Sequence, residues 1–201
     1  MLLDRDDSQL VLVDYQQRLM PAIHEGERVI ANAARLARIA GLLRVPVWAT
    51  EQNPQGLGPL VPELAELAAL ALPKMSFSAA TVLEPKLRPP ARSGGGNARS
   101  LPKHLQKATP AAAEPGRATL VLAGCETHVC LLQTALDLLD AEWDVWVVTD
   151  ASSSRTERNR DAAFDRLASA GAELVTTEMV AFEWMRTAEH PRFKDVLELV
   201  K

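Results

Sequence analysis

The chain has 201 residues, 47% hydrophobic and 24% charged, a balance that supports one ordinary hydrophobic core and excludes a disordered chain. Its 22 Lys and Arg against 26 Asp and Glu leave a net charge of −4, and no clustered basic surface is evident, which argues against nucleic acid as a partner. Apolar runs such as 10–13 and 120–123 are far too short to cross a bilayer, and the acidic start MLLDRDDSQ lacks the basic and apolar regions of a signal peptide, so a cytoplasmic protein with no membrane partner is expected.

In chain order, QLVLVD (9–14) is a short apolar run ending in an acid. In ERVIANAARLARIAGLLR (27–44), Val29, Ala33, Leu36, Ala37, Ala40 and Leu43 recur at helical spacing. VPVWAT (45–50) is a second strand candidate, EQNPQGLGP (51–59) a loop, and VPELAELAALA (61–71) a helix with Pro62 in its first turn. ATLVLAG (118–124) and DVWVVTD (144–150) are further apolar runs, with the helical pattern THVCLLQTALDLLDAE (127–142) between them. RDAAFDRLASAG (160–171) ends at a glycine suited to a helix C-cap, AELVTT (172–177) closes the strand series, and two short helical stretches finish the chain.

Uniformly apolar strands alternating with amphipathic helices indicate an α/β fold, a mostly parallel sheet covered on both faces in a three-layer α/β/α sandwich. A single domain over 1–201 is expected, interrupted at 89–116 by a Pro-, Gly-, Ser- and Lys/Arg-rich insertion that reads as flexible.

Ligands of parallel α/β sheets bind beyond the carboxyl ends of the strands. Asp14, the Thr50–Gln52 segment, the stretch from Gly124 to Cys130 and Asp150 all fall there. Cys130 stands between a strand and a helix, where the helix dipole favours thiolate and free N–H groups suit an oxyanion; a small apolar residue on a buried helix face reads the same way. Asp14 is either a general base or a loop-capping acid. Lys74, in LPKMSFS (72–78), either supports a thiolate or is one more solvated lysine.

Cys125 reads as core or site wall, and a disulfide between it and Cys130 is not expected across so short a turn. Cys125, Glu126, His128 and Cys130 are all metal-ligand types, but one strand-turn-helix cannot aim four side chains at one ion, and the other histidines are scattered. No metal and no cofactor are expected. The glycines of GLG (56–58) and SGGGN (93–97) lack the context of a phosphate-binding loop.

LVLVDYQQRL (10–19), LPKMSFS (72–78) and LAGCETHVCLLQTALDLL (122–139) resemble, in order and spacing, the signature segments of the isochorismatase-like cysteine hydrolases. TEQNPQGLGP (50–59), ETHVC (126–130), DASSSR (150–155) and HPRFKDVLELVK (190–201) are similar to one branch, the isochorismatase domain-containing protein 1 and 2 group, which includes Mar1-type proteins. The resemblance covers the chain except 89–116. It implies a six-stranded sheet, a homo-oligomer (dimer or tetramer), and a catalytic triad of Asp14, Lys74 and Cys130. In that scheme Cys130 is the nucleophile, Asp14 carries its proton and Lys74 lowers the thiol pKa. It implies further a cis peptide at Cys125–Glu126, an oxyanion hole of the Glu126 and Cys130 backbone N–H groups, and substrate-binding positions at Gln16, Gln52, Cys125 and Thr127.

The metal-binding Asp-x-His…His pattern of the family's nicotinamidases is absent from TEQNPQGLG (50–58). The cysteine, which true isochorismatases do not need, tilts the expectation to hydrolysis of a C–N bond in a small amide-like substrate. The alternatives are a vinyl-ether hydrolase with Asp14 as acid, and a binding or scaffold protein that retains the fold. The apolar FEWMR (182–186) reads as interface or as a buried terminal helix.

Overall fold

The computed structural model describes residues 2–87 and 116–201. The insertion at 89–116, and with it any reading of its flexibility, lies outside these apart from Gly116. Six strands, β1 Ser8–Val13, β2 Val47–Gln52, β3 Ala71–Lys74, β4 Thr119–Gly124, β5 Asp144–Val148 and β6 Glu173–Val175, form one sheet in the order β3-β2-β1-β4-β5-β6. All five pairings are parallel.

The side-chain alternation of the strands explains the two helical layers. Leu10, Leu12, Val121, Ala123, Trp146 and Val148 face one side, where they form a core with α1 Gly26–Leu42, α7 Thr177–Met185 and α8 Phe193–Val200. Val11, Val13, Leu120, Leu122, Val145 and Val147 face the other and meet α4 Ala80–Leu87, α5 Leu132–Asp140 and α6 Glu157–Ser169. Every residue of β1 and β4 is buried, as a parallel sheet covered on both faces requires. The α/β/α sandwich expected from the sequence is the observed fold. Gly171, with φ 101°, sits just past α6 where the sequence asks for a helix stop.

Three elements depart from the sequence reading. The loop expected over 51–59 holds a short α2 Pro54–Leu57, and the helix expected over 61–71 is a single turn, α3 Pro62–Ala65, followed by β3. An alanine- and leucine-rich run favours helix by propensity, but its end pairs with β2 at the sheet's edge, where Pro73 is tolerated because one side makes no ladder. The helix expected over 127–142 begins with a π-helical turn, Thr127–Leu131, before α5. Among the described residues no helix is long and apolar enough to cross a membrane.

The chain leaves β1 toward β2 and β3 on one side and returns through β4 on the other. The crevice beyond the ends of β1 and β4 is therefore a topological switch point, the place where parallel sheets leave room for a ligand.

Candidate active site

Asp14 follows the last residue of β1 with a left-handed backbone, φ 58°, a conformation aspartate tolerates better than most residues. Its N–H donates to the Thr50 carbonyl at 3.2 Å, and its own carbonyl accepts from the Gln16 N–H at 2.9 Å. Thr50 Oγ1 donates to Asp14 Oδ1 at 2.7 Å and Lys74 Nζ to Oδ2 at 2.7 Å. The register Val13 with Thr50 and Gln52 with Lys74 aligns three strand ends to make this possible.

The Asp14 and Lys74 side chains are both fully buried. Lys74 Nζ is also within reach of Gln52 Oε1 at 2.9 Å and the carbonyls of Phe77 and Ser76 at 2.9 and 3.2 Å. An ammonium has three protons, so four acceptors saturate it. Removing one partner of such a buried pair costs about 3–5 kcal/mol, because the other charge is left unpaired.

On the next strand, Gly124 allows β4 to close on β1: a Cβ there stands 2.6 Å from Val13 Cβ and 2.7 Å from the Val13 carbonyl oxygen. Beyond it the Cys125–Glu126 peptide is cis. The Glu126 backbone N–H has no hydrogen-bond partner among the described residues, while its carboxylate meets Arg155 Nε at 2.5 Å.

Cys130 lies in the π turn and is buried against the α5 face of the sheet. Burial pushes its thiol up to about 12, with the Asp14 carboxylate adding to the rise, both by charge and by accepting the thiol's hydrogen bond; Glu126 adds a little and Lys74 pulls down. The expected lowering by helix end and lysine is thus reversed. Desolvation outweighs both, and the lysine's charge is largely answered by Asp14. At rest the site therefore favours a neutral thiol beside a carboxylate that is itself held by a lysine.

The structure brings Asp14, Lys74 and Cys130 together and gives the other expected positions different surroundings. Gln16 is fully buried: its Nε2 donates to the Gly58 and Gln52 carbonyls at 2.7 and 3.0 Å, and its Oε1 accepts from Gln52 N–H at 2.8 Å. It braces the loop that carries Gln52. Gln52 sits at the rim, its Nε2 donating to the Met75 carbonyl at 2.8 Å. Cys125 is fully buried in the opposite core from Cys130, and burial raises its thiol pKa further still; both cysteines are free. Thr127 is also fully buried, with a hydroxyl that has no partner among the described residues. Gln16, Cys125 and Thr127 are thus as deeply buried as Asp14 and Lys74.

One supporting residue escaped the sequence reading. Thr134 Oγ1 donates to the Cys130 carbonyl at 2.6 Å and accepts from the Ala79 N–H at 2.9 Å, tying the segment after Lys74 to the cysteine's turn. Its place four residues after Cys130 is the only trace it leaves in the sequence. Among the described residues no group of three or more His, Cys, Asp or Glu is arranged to hold a metal ion. Two surface cavities of about 560 and 640 Å³ lie along α1 and α8 and share Arg38, Glu198 and Leu199; neither is lined by Asp14, Lys74 or Cys130.

Comparison with known proteins gives a consistent picture. Residues 100–179 match the isochorismatase domain. The chain is 36% identical over 196 residues to isochorismatase domain-containing protein 2A of Mus musculus, covering 98% of this chain and 84% of that protein. Among solved structures, the MAR1 ribonuclease of Caenorhabditis elegans superposes with a TM-score of 0.82 at 31% identity, over 100% of this chain and 92% of that one. YcaC of Pseudomonas aeruginosa, solved with hexane-2,5-diol and covalent acrylamide, gives 0.78 at 26% identity, over 98% and 91%. YcaC of Escherichia coli, described as an octameric hydrolase of unknown specificity, gives 0.75 at 26% identity, over 100% and 95%.

Proposed function

The chain belongs to the isochorismatase-domain family, and from that premise we propose that it is a cysteine hydrolase acting on the C–N bond of a small amide-like substrate. The observation that carries this reading is the convergence, at the strand ends, of a buried thiol with a buried carboxylate that raises its pKa and a lysine 2.7 Å from that carboxylate. The covalent acrylamide of the Pseudomonas neighbour lends support to a nucleophile in a related fold.

In the first half-reaction Asp14 takes the thiol proton as Cys130 Sγ attacks the carbonyl carbon. The resulting oxyanion is held by the backbone N–H groups of Glu126 and Cys130, preorganised donors of the kind that most lower such barriers. As the C–N bond breaks, the proton moves from Asp14 to the leaving amine, and a thioester remains on Cys130. In the second, Asp14 takes a proton from water, hydroxide adds to the thioester carbon, and the acid leaves as Cys130 regains its proton. Lys74 stays charged throughout and keeps Asp14 in place.

A thiol near 12 suits this cycle: it stays neutral and unreactive until a substrate carbonyl and the oxyanion donors make its deprotonation favourable. The test is ammonia or amine release from a panel of small amides and ureides by wild-type protein and Cys130→Ala. Loss of release in the variant supports the reading. Undiminished release favours a vinyl-ether or other cysteine-free chemistry with Asp14 as acid. We propose also that the chain forms a homo-oligomer, as the octameric E. coli neighbour does; light scattering in solution decides that.

A further inference from the structure

The charges around Cys130 narrow the substrate class. Resting on the hydrolase reading above, we propose that the site selects an uncharged substrate, a neutral amide or ureide, and rejects carboxylates and phosphodiesters.

The charges at the strand ends around Cys130 are the fully buried pair Asp14 and Lys74 and Glu126, which immediately precedes the cysteine's own turn, two acids and one base. Lys74 is fully buried and its ammonium is saturated by Asp14, Gln52 and two carbonyls. It cannot turn to an incoming anion without abandoning a buried carboxylate, a costly exchange. Arg155 spends its Nε on Glu126, and its side chain is 60% exposed, so water screens what charge remains. The nearby His128 ring is bonded to Ser154 Oγ at 2.9 Å. Arg18, on the far side of the Gln52 loop, gives its Nη1 to the carbonyls of Gln55 and Gly56.

Among the groups named, then, an anion reaching the sulfur meets two carboxylates, a lysine that is already saturated, and an arginine that is solvent-exposed and paired to Glu126 through its Nε. A carbonyl oxygen meets no such penalty, since it enters neutral and gains charge only where the backbone N–H groups stand. This charge pattern sets the chain apart from an enzyme for isochorismate-like acids, and it does not suit a phosphodiester such as RNA.

Two alkylating probes of nearly equal shape, iodoacetamide and iodoacetate, test the proposal. In each, the Sγ–C bond forms as the C–I bond breaks, iodide leaves with the electron pair, and the thiol proton passes to Asp14 or solvent. The same thiolate population enters both rates, so their ratio at Cys130, read by peptide mass spectrometry at pH 9 against 2-mercaptoethanol as reference thiol, isolates charge selection. We expect the amide-to-acid ratio at Cys130 to exceed the reference ratio at least tenfold. Glu126→Gln narrows it by removing an acid and freeing Arg155, and Arg155→Gln, at an exposed position, widens it. A ratio at or below the reference, or one that neither variant moves, overturns the proposal and leaves the hydrolase reading standing. The hydrolase reading has its own readout, amine release by Cys130→Ala: release that persists in that variant overturns the hydrolase reading itself.

Discussion

Replacing Asp14 by Asn separates the two roles this carboxylate has toward Cys130. At rest it holds the thiol neutral: with a value of about 12, only about one molecule in 10⁴ carries thiolate at pH 8 by the mass-action relation between pH and pKa. A like charge in contact raises a pKa by roughly 1–3 units, so Asp14→Asn is expected to lower the thiol by that amount. Burial, the larger cause, remains and keeps it above the ordinary thiol value.

Iodoacetamide labelling of Cys130 at pH 8 then rises about 10- to 10³-fold, while amide hydrolysis falls about 10²- to 10⁴-fold because the proton carrier is gone. Loss of structure would also speed alkylation and slow turnover, so opening of the chain is followed separately. Cys125, buried in the opposite core, is the control: it labels only if the chain opens. The assay is peptide-resolved labelling from pH 6 to 11, with a circular-dichroism melt to track the stability lost by unpairing Lys74. A labelling profile that stays put or moves to higher pH refutes the contact between thiol and carboxylate.

Lys74→Met leaves Asp14 buried without its partner and is expected to cost about 3–5 kcal/mol in urea unfolding, while Asp14→Asn/Lys74→Met recovers much of that; strictly additive losses contradict the pair's coupling. Gly124→Ala forces a Cβ to within 2.6 Å of Val13 and is expected to cost about 1–3 kcal/mol and depress activity beyond that loss, since the displaced strand end carries Asp14; wild-type stability contradicts it. Cys125 and Cys130 both titrate above the unfolded-chain value of 9.0. The folded state therefore keeps protons that the unfolded state releases above about pH 9, so stability is full below that pH and declines toward 12, by up to ~1.4 kcal/mol per pH unit per thiol. Cys130→Ala should remove its share of the slope between pH 9 and 11; an unchanged slope contradicts the raised thiol.

What the sequence made legible follows from how each feature is encoded. The buried strands declare themselves because both faces are covered, leaving β1 and β4 buried throughout and apolar from Leu10 to Val13 and from Leu120 to Ala123. Asp14, Lys74 and Cys130 stand out because their residue types recur in family segments of fixed order. β3 was hidden because four residues carry too little periodicity to outweigh the helix-forming run before them. The bracing bonds of Gln16 and Thr134 left no mark because they reach backbone 36 to 55 residues away, which no local pattern records. The thiol's direction was misjudged for a related reason: a helix end and a lysine can be read from sequence, whereas desolvation depends on everything packed around the sulfur.

The central claim is that Cys130 forms a covalent intermediate with an amide substrate. Rapid-quench peptide mass spectrometry, on wild-type protein turning over whichever neutral amide releases ammonia, tests it most directly, with Cys130→Ala alongside. The account predicts an acyl group on the peptide at Cys130, none at Cys125, and turnover at least ~10³-fold lower in the variant. Turnover that persists in Cys130→Ala, or that runs in the wild type with no acyl group on Cys130, contradicts it.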